Sequence, residues 1–391
     1  MLTYRFRIYP TKAQEGLLSD TLETCRHLYN ALLSDRNENG ASLWELQGSL
    51  PKLKADNKFL RAIHSQVLQD VNFRLDRAFQ AFFAGIAKHP KFRRKGRYSS
   101  FTYPQYGGFR VAGNWLRLSK IGAIKMKVHR PIEGTPKTCT IVRDIDQWYA
   151  CISAEVPEGR ERALPGKPAI GVDLGVTNLV TLSDGTMIPN PRILAKSVCK
   201  IKSLQRNLSR KQSGSNNREK TRIRLAKAWR TVRRQRDDFA HKLSDKITKE
   251  HQTIVFENLR TKNMVRNRNL ASAIMDASWG QLRRLTAYKA ERRGGRVILV
   301  DPRGTSQKCS GCGEVVPKEL YERVHRCSRC GLTLDRDVNA ARNILKAGLE
   351  QARAEAEPLS VIRDGQVRPR KQEAHELQPW VVHIIGRAPS P

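Results

Sequence analysis

Four of the eight cysteines form two closely spaced pairs, each followed directly by a glycine. The pairs are Cys309-x2-Cys312 and Cys327-x2-Cys330, and fourteen residues separate them. Two such knuckles can close a tetrahedral thiolate site around Zn²⁺, and four sulfur ligands leave no position for water. The spacing therefore predicts one structural zinc ion. The remaining cysteines do not form a disulfide framework, and we expect buried thiols at these positions: Cys25, Cys139, Cys151 and Cys199.

Two acidic residues stand in short apolar segments that are far apart in the sequence. Asp173 lies in 169–184 (AIGVDLGVTNLVTLSD), which predicts a strand, a turn and a second strand, and Glu257 lies near the end of the apolar run 253–259. A carboxylate in such a place is costly unless a cation compensates its charge. Each residue alone has an ordinary explanation, Asp173 as a turn or bulge residue and Glu257 as a solvated strand end.

A third carboxylate comes from 334–345 (LDRDVNAARNIL), which predicts a helix after the strand 296–300 and the cysteine pairs. Asp337 shares a helical stripe with three apolar residues, whereas Asp335 would point about 200° away if the helix included it. We therefore take Asp337 as the third carboxylate, with Asp335 as the alternative. Three carboxylates suit two divalent ions that hold a scissile phosphate from both sides, and Mg²⁺ prefers such oxygen-rich sites.

The amino-terminal half must supply other functions, because its apolar pattern changes period twice. Thr11 and Gln14 form a capping-box signature that opens one helix, and a second helix is predicted from about 61 to 88. Residues 10–94 are thus a helical unit. Alternation beyond residue 97 predicts a small antiparallel β domain from 1–9 and 95–160. Its aromatic residues either stack on unpaired bases or fill its core, and for each alone packing is favoured: Phe101, Tyr103, Tyr106 and Trp115.

The carboxyl-terminal half follows a predicted linker at 161–168. We expect a nuclease unit at 169–303 and 332–350, the cysteine unit at 304–331 and a weakly ordered tail at 351–391. Two long basic helices broken at 213–217 form a hairpin arm between 192 and 250. Fourteen basic residues against one acid between Lys200 and Arg236 favour phosphate contact over a merely solvated surface.

The net charge points to a polyanionic partner. With 72 Lys and Arg against 37 Asp and Glu, the chain carries 72 − 37 = +35. Nucleic acid neutralises such a field with release of counterions, which favours this interpretation over a basic surface kept for solubility. No apolar stretch approaches the roughly 18 residues of a membrane span, and the first ten residues lack a signal peptide. We therefore expect a cytoplasmic, nucleoid-associated protein without membrane contact.

Taken in order, these motifs resemble the TnpB family of transposon-encoded relatives of type V CRISPR effectors. The resemblance rests on 171–175 (GVDLG), 255–259 (VFENL), the cysteine pairs and 335–344 (DRDVNAARNI), with 4–14 and 278–280 in support. It implies an α+β multidomain protein: an RNase H-like (RuvC) nuclease domain with an inserted zinc ribbon, a helical recognition domain and a small β-barrel wedge domain. The catalytic triad carries over onto Asp173, Glu257 and Asp337, with Mg²⁺ as its ion.

The resemblance also implies an RNA-guided DNA endonuclease, expected as a monomer. Its guide RNA would come from the transposon end, and its target would be double-stranded DNA beside a short flanking motif that the protein reads. Ser65, Gln66 and Gln69 resemble the motif-reading helix, because Gln can read adenine edges in a groove. They could equally be ordinary exposed helix residues.

Three other functions compete with guided cleavage. A catalytically silent RNA-guided repressor is disfavoured by the intact carboxylates and cysteines. A transposase is disfavoured because the sequence has no His-hydrophobic-His pair, whereas a transposition accessory protein stays an alternative. An unguided junction resolvase would share the carboxylates but would cut branched DNA without RNA.

Overall fold

The computed structural model of the protein describes residues 1–156, 166–319 and 322–356. Residues 161–165 of the predicted linker (161–168) lie outside the described residues. So do residues 357–391 of the predicted tail (351–391). Residues 351–356 belong to a helix.

The chain has an α+β fold. The helices are α1 (Lys12–Asn39), α2 (Leu43–Asp56), α3 (Lys58–Arg61), α4 (Ser65–Phe83), α5 (Ile193–Ser209), α6 (Asn216–Glu250), α7 (Thr261–Met264), α8 (Arg268–Ala277), α9 (Trp279–Arg292) and α10 (Arg336–Ala356). The strands are β1 (Leu2–Tyr9), β2 (Ser100–Tyr103), β3 (Phe109–Ala112), β4 (Trp115–Leu118), β5 (Gly122–Lys127), β6 (Thr135–Asp144), β7 (Gln147–Glu155), β8 (Ala169–Asp173), β9 (Asn178–Leu182), β10 (Met187–Pro189), β11 (Thr253–Glu257), β12 (Arg296–Val300), β13 (Val324–Arg326) and β14 (Thr333–Asp335).

The first seven strands form one antiparallel sheet in the order β2-β6-β7-β1-β5-β4-β3. The amino-terminal strand β1 lies inside it, paired with β7 on one side and β5 on the other. Tyr4, Phe6 and Ile8 alternate with exposed or half-buried residues and face the core. The buried face of this sheet and the helices α1 to α4 share one hydrophobic core.

The capping box predicted at the start of α1 is confirmed. The Gln14 N–H donates to the Thr11 hydroxyl at 3.3 Å, and the Thr11 N–H donates to the Gln14 side chain at 3.1 Å. A second capping box, made by Ser42 and Glu45, opens α2, a helix that the apolar period did not reveal. Helix starts in this region are therefore set by short polar signals as much as by apolar spacing.

The helix predicted over 61–88 was too long at both ends, since α4 covers Ser65–Phe83. His64 has an extended backbone and precedes the first turn. Gly85 adopts φ +69°, a left-handed conformation that ends helices and that glycine accepts without strain. Ile86, placed on the apolar stripe by its spacing, consequently lies outside the helix and is 73% exposed.

The second sheet has five strands in the order β10-β9-β8-β11-β12. β8, β9 and β10 form an antiparallel meander, whereas β11 and β12 run parallel to β8. Successive residues of β11 serve opposite faces: Ile254 and Phe256 join the core formed with α6, α8 and α9, and Val255 joins the core formed with α10. Helices thus cover both faces of this sheet, which explains its continuous apolar strands.

The predicted basic hairpin arm is confirmed as α5 and α6, which pack against each other.

The cysteine segment, residues 304–331, follows β12 and contains β13. β13 pairs with β14, which leads directly into α10. Of the cysteines expected to be buried thiols, Cys25 and Cys139 are buried and Cys151 is partly buried. Cys199 is exposed, contrary to expectation, because the inward face of α5 is carried by Ile201. No helix in the described parts of the chain is long and apolar enough to cross a membrane.

The position of α10 on the second sheet depends on a glycine of β8. A Cβ atom at Gly171 would lie 2.0 Å from the Ala341 carbonyl oxygen and 2.8 Å from the Leu345 nitrogen, both in the backbone of α10. A Cβ atom at Gly348 would in turn meet the Val255 side chain at 2.4 Å. Strand and helix therefore pack backbone to backbone, closer than any larger residue allows.

We expect Gly171→Ala to destabilise the protein by about 2–3 kcal/mol, because neither strand nor helix backbone can move without disturbing its own hydrogen bonds. The measurement is the denaturant midpoint of unfolding. Gly16→Ala is the matched control, since a Cβ at Gly16 of α1 meets nothing within 4 Å. Equal midpoints for the two variants would contradict the close contact as a determinant of stability.

Candidate active site and metal centre

Two of the three acidic residues lie side by side at one end of the five-stranded sheet. Val172 of β8 pairs with Phe256 of β11, so the next residues, Asp173 and Glu257, end two neighbouring parallel strands. Parallel strands end at the same edge of a sheet, which brings these carboxylates together although 83 residues of sequence lie between them. The sequence interpretation of Glu257 as a solvated strand end does not hold, because this residue is buried.

The third carboxylate is delivered by the first turn of α10. Asp335 caps this helix: its Oδ1 accepts the Asp337 N–H at 2.8 Å and the Val338 N–H at 3.2 Å. The side chain of Asp337 is 16% exposed and lies 3.3 Å from the Arg336 guanidinium. Because Asp335 is engaged in capping, the structure favours Asp337 over Asp335 as the third member of the cluster.

The electrostatics of Asp173 show that the three carboxylates form one cluster. Burial, followed by the charges of Glu257 and Asp337, raises the pKa of Asp173 from an ordinary 3.8 to about 8. The Arg336 guanidinium and the Leu174 N–H lower the same pKa, but by less than burial and the two carboxylates raise it. Burial also raises the pKa of Glu257, against a hydrogen bond from Thr305. Like charges held in a partly buried place favour protonation or a bound cation.

Two further contacts fix the backbone around this cluster. The Trp279 indole Nε1–H donates to the Gly175 carbonyl at 3.2 Å, which ties the turn after Asp173 to the start of α9. Thr305, at the start of the cysteine segment, donates its hydroxyl proton to Glu257 Oε1 at 2.5 Å. Sequence reasoning missed Thr305, since a threonine in a polar loop carries no signal of its own.

The four paired cysteines converge on a single point. Their ligand atoms all lie within 4.8 Å of one another, and the Cys309–Cys330 and Cys312–Cys327 Sγ pairs are each 3.6 Å apart. A tetrahedron with Zn–S bonds of about 2.3 Å has edges of about 3.8 Å, so the quartet fits Zn²⁺. In the described ranges it is the one group of three or more such ligands gathered so closely, and the carboxylate cluster is looser.

The two cysteine knuckles have the same backbone turn. The Gly313 N–H donates to the Cys309 carbonyl and the Gly331 N–H to the Cys327 carbonyl, each at 2.9 Å. Both glycines are left-handed, with φ of +81° and +75°. The glycine that follows each pair in the sequence is therefore required by the turn. Hydrogen bonds, the largest from the Cys330 backbone N–H, lower the pKa of the Cys327 thiol to about 7, whereas the neighbouring Cys312 and Cys309 sulfurs raise the pKa of Cys330 to about 12, as expected for thiols crowded together without a metal.

The three residues considered as DNA-motif readers lie on the first two turns of α4, in the other half of the molecule. Ser65 and Gln69 are exposed on one helical face, and the Ser65 hydroxyl accepts a hydrogen bond from Lys54 at 2.7 Å. Gln66 is half-buried, and its Nε2 donates to Gln105 at 2.5 Å. Ser65 and Gln69 thus face solvent, while Gln66 is engaged within the protein.

The aromatic residues of the first sheet divide into two groups. Phe101 and Tyr103 are each 1% exposed and fill the core, as favoured from the sequence. Trp115 is 52% exposed on β4, and Tyr106 is also exposed. Trp115 pairs across the sheet with Lys125, so aromatic and basic side chains share one outer face.

The arm does not present all fourteen of its basic residues to a partner. Five at its base make ion pairs with Asp144, Asp146 or Asp276, which the charge count alone could not show: Lys227, Arg230, Arg233, Arg234 and Arg236. Arg218 hydrogen-bonds the end of α5, and Arg222 pairs with Glu219. Seven have no side-chain partner within the described residues: Lys200, Lys202, Arg206, Arg210, Lys211, Lys220 and Arg224.

Family comparisons cover both halves of the chain. A sequence profile described as "Probable transposase" matches residues 149–268, and one described as "Cas12f1-like, TNB domain" matches 279–344. A third, described as "Helix-turn-helix domain", matches 1–41, which here form β1 and α1.

Two relatives match almost the whole chain. A protein of Streptomyces pristinaespiralis named "Putative RNA-guided DNA endonuclease" is 36% identical over 88% of this chain and 89% of its own length. The similarly named InsQ of Escherichia coli (strain K12) is 32% identical over 96% of this chain and 97% of its own. The chain belongs to the TnpB family.

A solved Cas12f1 structure, determined as a complex with sgRNA and target DNA, shares the fold of this TnpB-family chain. It aligns with a TM-score of 0.54 and 15% identity over 85% of this chain and 82% of that one. The carboxylate and cysteine clusters both lie in the carboxyl-terminal half, which the "Probable transposase" and "Cas12f1-like, TNB domain" profiles match.

We expect Asp173→Asn to stabilise the protein in Mg²⁺-free buffer at pH 8 but not at pH 4. The folded protein holds a proton on Asp173 that the unfolded chain releases, so stability falls as pH rises from about 4 through 8. Asparagine cannot ionise and escapes this loss. Since Asp173 is partly exposed, we expect a gain of about 1 kcal/mol, or about 2–4 °C in Tm.

The measurement is Tm of both proteins across this pH range. Asp20→Asn, on the exposed face of α1, is the control and should show no pH-dependent difference. A constant offset for Asp173→Asn at all pH values would rule out the repulsive cluster.

Proposed function

We propose that this chain is an RNA-guided DNA endonuclease in which Asp173, Glu257 and Asp337 form the hydrolytic site. The observation that carries the proposal is the meeting of three carboxylates from β8, β11 and α10, where burial and repulsion raise the pKa of Asp173 to about 8. Such a cluster is stable in its ionised form with bound cations, and it has no evident structural purpose without them.

Mg²⁺ suits this donor set because it prefers carboxylate oxygens and keeps several waters. Two bound ions would supply an activated water and stabilise the leaving oxygen of a phosphodiester. The chain itself supplies placement: the paired strands β8 and β11 hold Asp173 and Glu257, and the Asp335 cap holds the first turn that carries Asp337. Arg336, beside Asp337, limits the repulsion before cations bind.

We assign the five-stranded sheet and its helices to an RNase H-like (RuvC) nuclease domain at 169–303 and 332–350. The antiparallel meander β8–β10 followed by two strands parallel to β8 supports this assignment. The cysteine segment at 304–331 is then a zinc ribbon inserted before α10. The seven-stranded sheet corresponds to the wedge domain, and the helices of 10–94 to the recognition domain.

The nucleic-acid partners are a guide RNA from the transposon end and a matching double-stranded DNA. The name of the Streptomyces relative supports guided DNA cleavage, and the net charge of +35 favours a polyanionic partner. The seven basic residues of the arm that have no side-chain partner among the described residues, and the outer face around Trp115 and Lys125, offer phosphate contacts and base stacking. Ser65 and Gln69 remain the candidates for reading the flanking DNA motif, with Gln66 held by Gln105.

We expect the protein purified with its guide RNA to cut guide-matched DNA only when Mg²⁺ is present, and Asp173→Ala to reduce cutting to background while target binding persists. The alanine removes a metal ligand but leaves the nucleic-acid surfaces unchanged. The measurements are product formation on gels and target affinity by filter binding. Asp184→Asn, in the exposed turn after β9, is the control and should cut normally.

The outcomes separate the competing functions. Wild-type protein that binds the matched target in Mg²⁺ without cutting it would identify a silent repressor. Cleavage of branched DNA without RNA would identify a junction resolvase, and normal cutting by Asp173→Ala would refute the assigned site.

We expect about one Zn²⁺ per purified chain. Cys309→Ser should lower the zinc content and should reduce the free energy of unfolding by about 2–4 kcal/mol. The thiolates close a complete tetrahedral set, so loss of one ligand weakens the whole ribbon. Metal analysis and the denaturant midpoint measure the two effects. Cys199→Ser, at an exposed thiol remote from the quartet in sequence, should change neither, and zinc-free wild-type protein would remove the metal from the proposal.

A further inference from the structure

The cysteine segment touches the carboxylate cluster through one side chain. Thr305, four residues before the first cysteine, places its hydroxyl 2.5 Å from Glu257 Oε1, and both residues are buried. No other hydrogen bond reaches the Glu257 carboxylate from the described residues. The Thr305 hydroxyl also lies 3.1 Å from the Pro302 carbonyl, but its single proton is used best on the carboxylate.

The backbone that carries Thr305 is held by α10. Asn343 Nδ2 donates to the carbonyls of Thr305 at 2.8 Å and Lys308 at 2.7 Å. Asn339, which is completely buried, donates to the same Lys308 carbonyl at 2.7 Å and accepts the Ser310 N–H at 2.9 Å. The segment leading into the first knuckle is therefore fastened along the helix that bears Asp337.

These contacts link two sites that are separate in chemistry. Glu257 is hydrogen-bonded to Thr305, and the backbone of 305–310 is hydrogen-bonded to Asn339 and Asn343 of α10. The same helix carries Asp337, two residues before Asn339. Ser310 directly follows the ligand Cys309, so the first knuckle is part of the same rigid unit.

We propose that Thr305 is a positioning residue of the nuclease: it holds the Glu257 side chain in its metal-binding orientation, and Asn339 and Asn343 anchor it to α10. The inference rests on the proposed function, because it assumes that Glu257 binds a divalent cation. Without the hydroxyl, Glu257 is free to rotate, and cation binding must order it first. The cost therefore falls on metal binding more than on target binding or folding.

The test compares Thr305→Val, which keeps the shape and removes the hydroxyl, with Thr305→Ser, which keeps the hydroxyl. For the guide-bound protein, we expect Thr305→Val to raise the Mg²⁺ concentration for half-maximal cleavage roughly tenfold, because a metal ligand that loses the side chain holding it binds its ion more weakly by about that factor. Because Thr305→Ser keeps the hydroxyl, its Mg²⁺ concentration for half-maximal cleavage should stay within about twofold of the wild-type value. Target affinity should be the same for all three proteins.

A second readout does not depend on cleavage. Mg²⁺ should raise Tm of the guide-bound wild type, and the part of this rise that is absent in Asp173→Ala reports binding at the carboxylates. Thr305→Val should shift the midpoint of that part to higher Mg²⁺ in parallel with cleavage. Should Thr305→Val fail to fold, Asn343→Ala, which loosens the same backbone from α10, is expected to shift both midpoints in the same direction.

The outcomes distinguish this inference from the function on which it rests. A wild-type protein that does not cut contradicts the proposed function. Cutting wild type with unchanged Mg²⁺ midpoints in Thr305→Val and Asn343→Ala contradicts the positioning role alone. A lower Tm of Thr305→Val without any change in Mg²⁺ dependence would reduce Thr305 to a structural residue, and failure of Thr305→Ser to restore the midpoint would show that the hydroxyl is not the cause.

Discussion

The mutual repulsion of three carboxylates is the constraint on which the carboxyl-terminal half depends. Asp173, Glu257 and Asp337 lie close enough for two of them to raise the pKa of the third, and the place is partly closed to water. Side chains with such a repulsion move apart unless their backbones prevent it. Two adjacent hydrogen-bonded strands and a helix in direct backbone contact supply that restraint. The arrangement is therefore costly in the isolated chain, and bound cations would make it favourable, as the proposed function requires.

The glycine contact and the cysteine segment follow from this restraint. α10 can hold Asp337 in place only if it lies firmly on β8, and Gly171 permits the contact by lacking a side chain. The cysteine segment enters the chain directly before this helix, where a loose insertion would release it. The quartet of thiols closes that segment on itself, and Asn339 and Asn343 fasten it along α10. The inserted segment is thus held on α10, and through Thr305 it contacts the carboxylate cluster.

The features that could be predicted from the sequence are those in which a short local pattern is compatible with few structures. The three sheet strands at β8, β11 and β12 are short apolar runs, and the two knuckles are fixed by residue spacing. The helical stripe pointed to Asp337, and only the structure shows that Asp335 caps the helix, since capping depends on where the helix begins. The capping box at Ser42 was visible in the sequence but was overlooked, because the apolar period of α2 is weak. Thr305 could not be found, because its role arises from a contact between segments 48 residues apart.

Charge is the property for which composition and structure differ most. The fourteen basic residues of the arm form a single run in the sequence, but five of them bind acids on other parts of the chain. Asp144, the last residue of β6, and Asp146, in the turn that follows, bind four of these five and so tie the base of the arm to the first sheet. A basic residue already paired with an acid releases fewer counterions when nucleic acid binds, because its charge is partly neutralised beforehand. The attraction of the arm for a polyanion would therefore come mainly from its distal part, whereas the ion pairs at its base fix the arm on the rest of the protein.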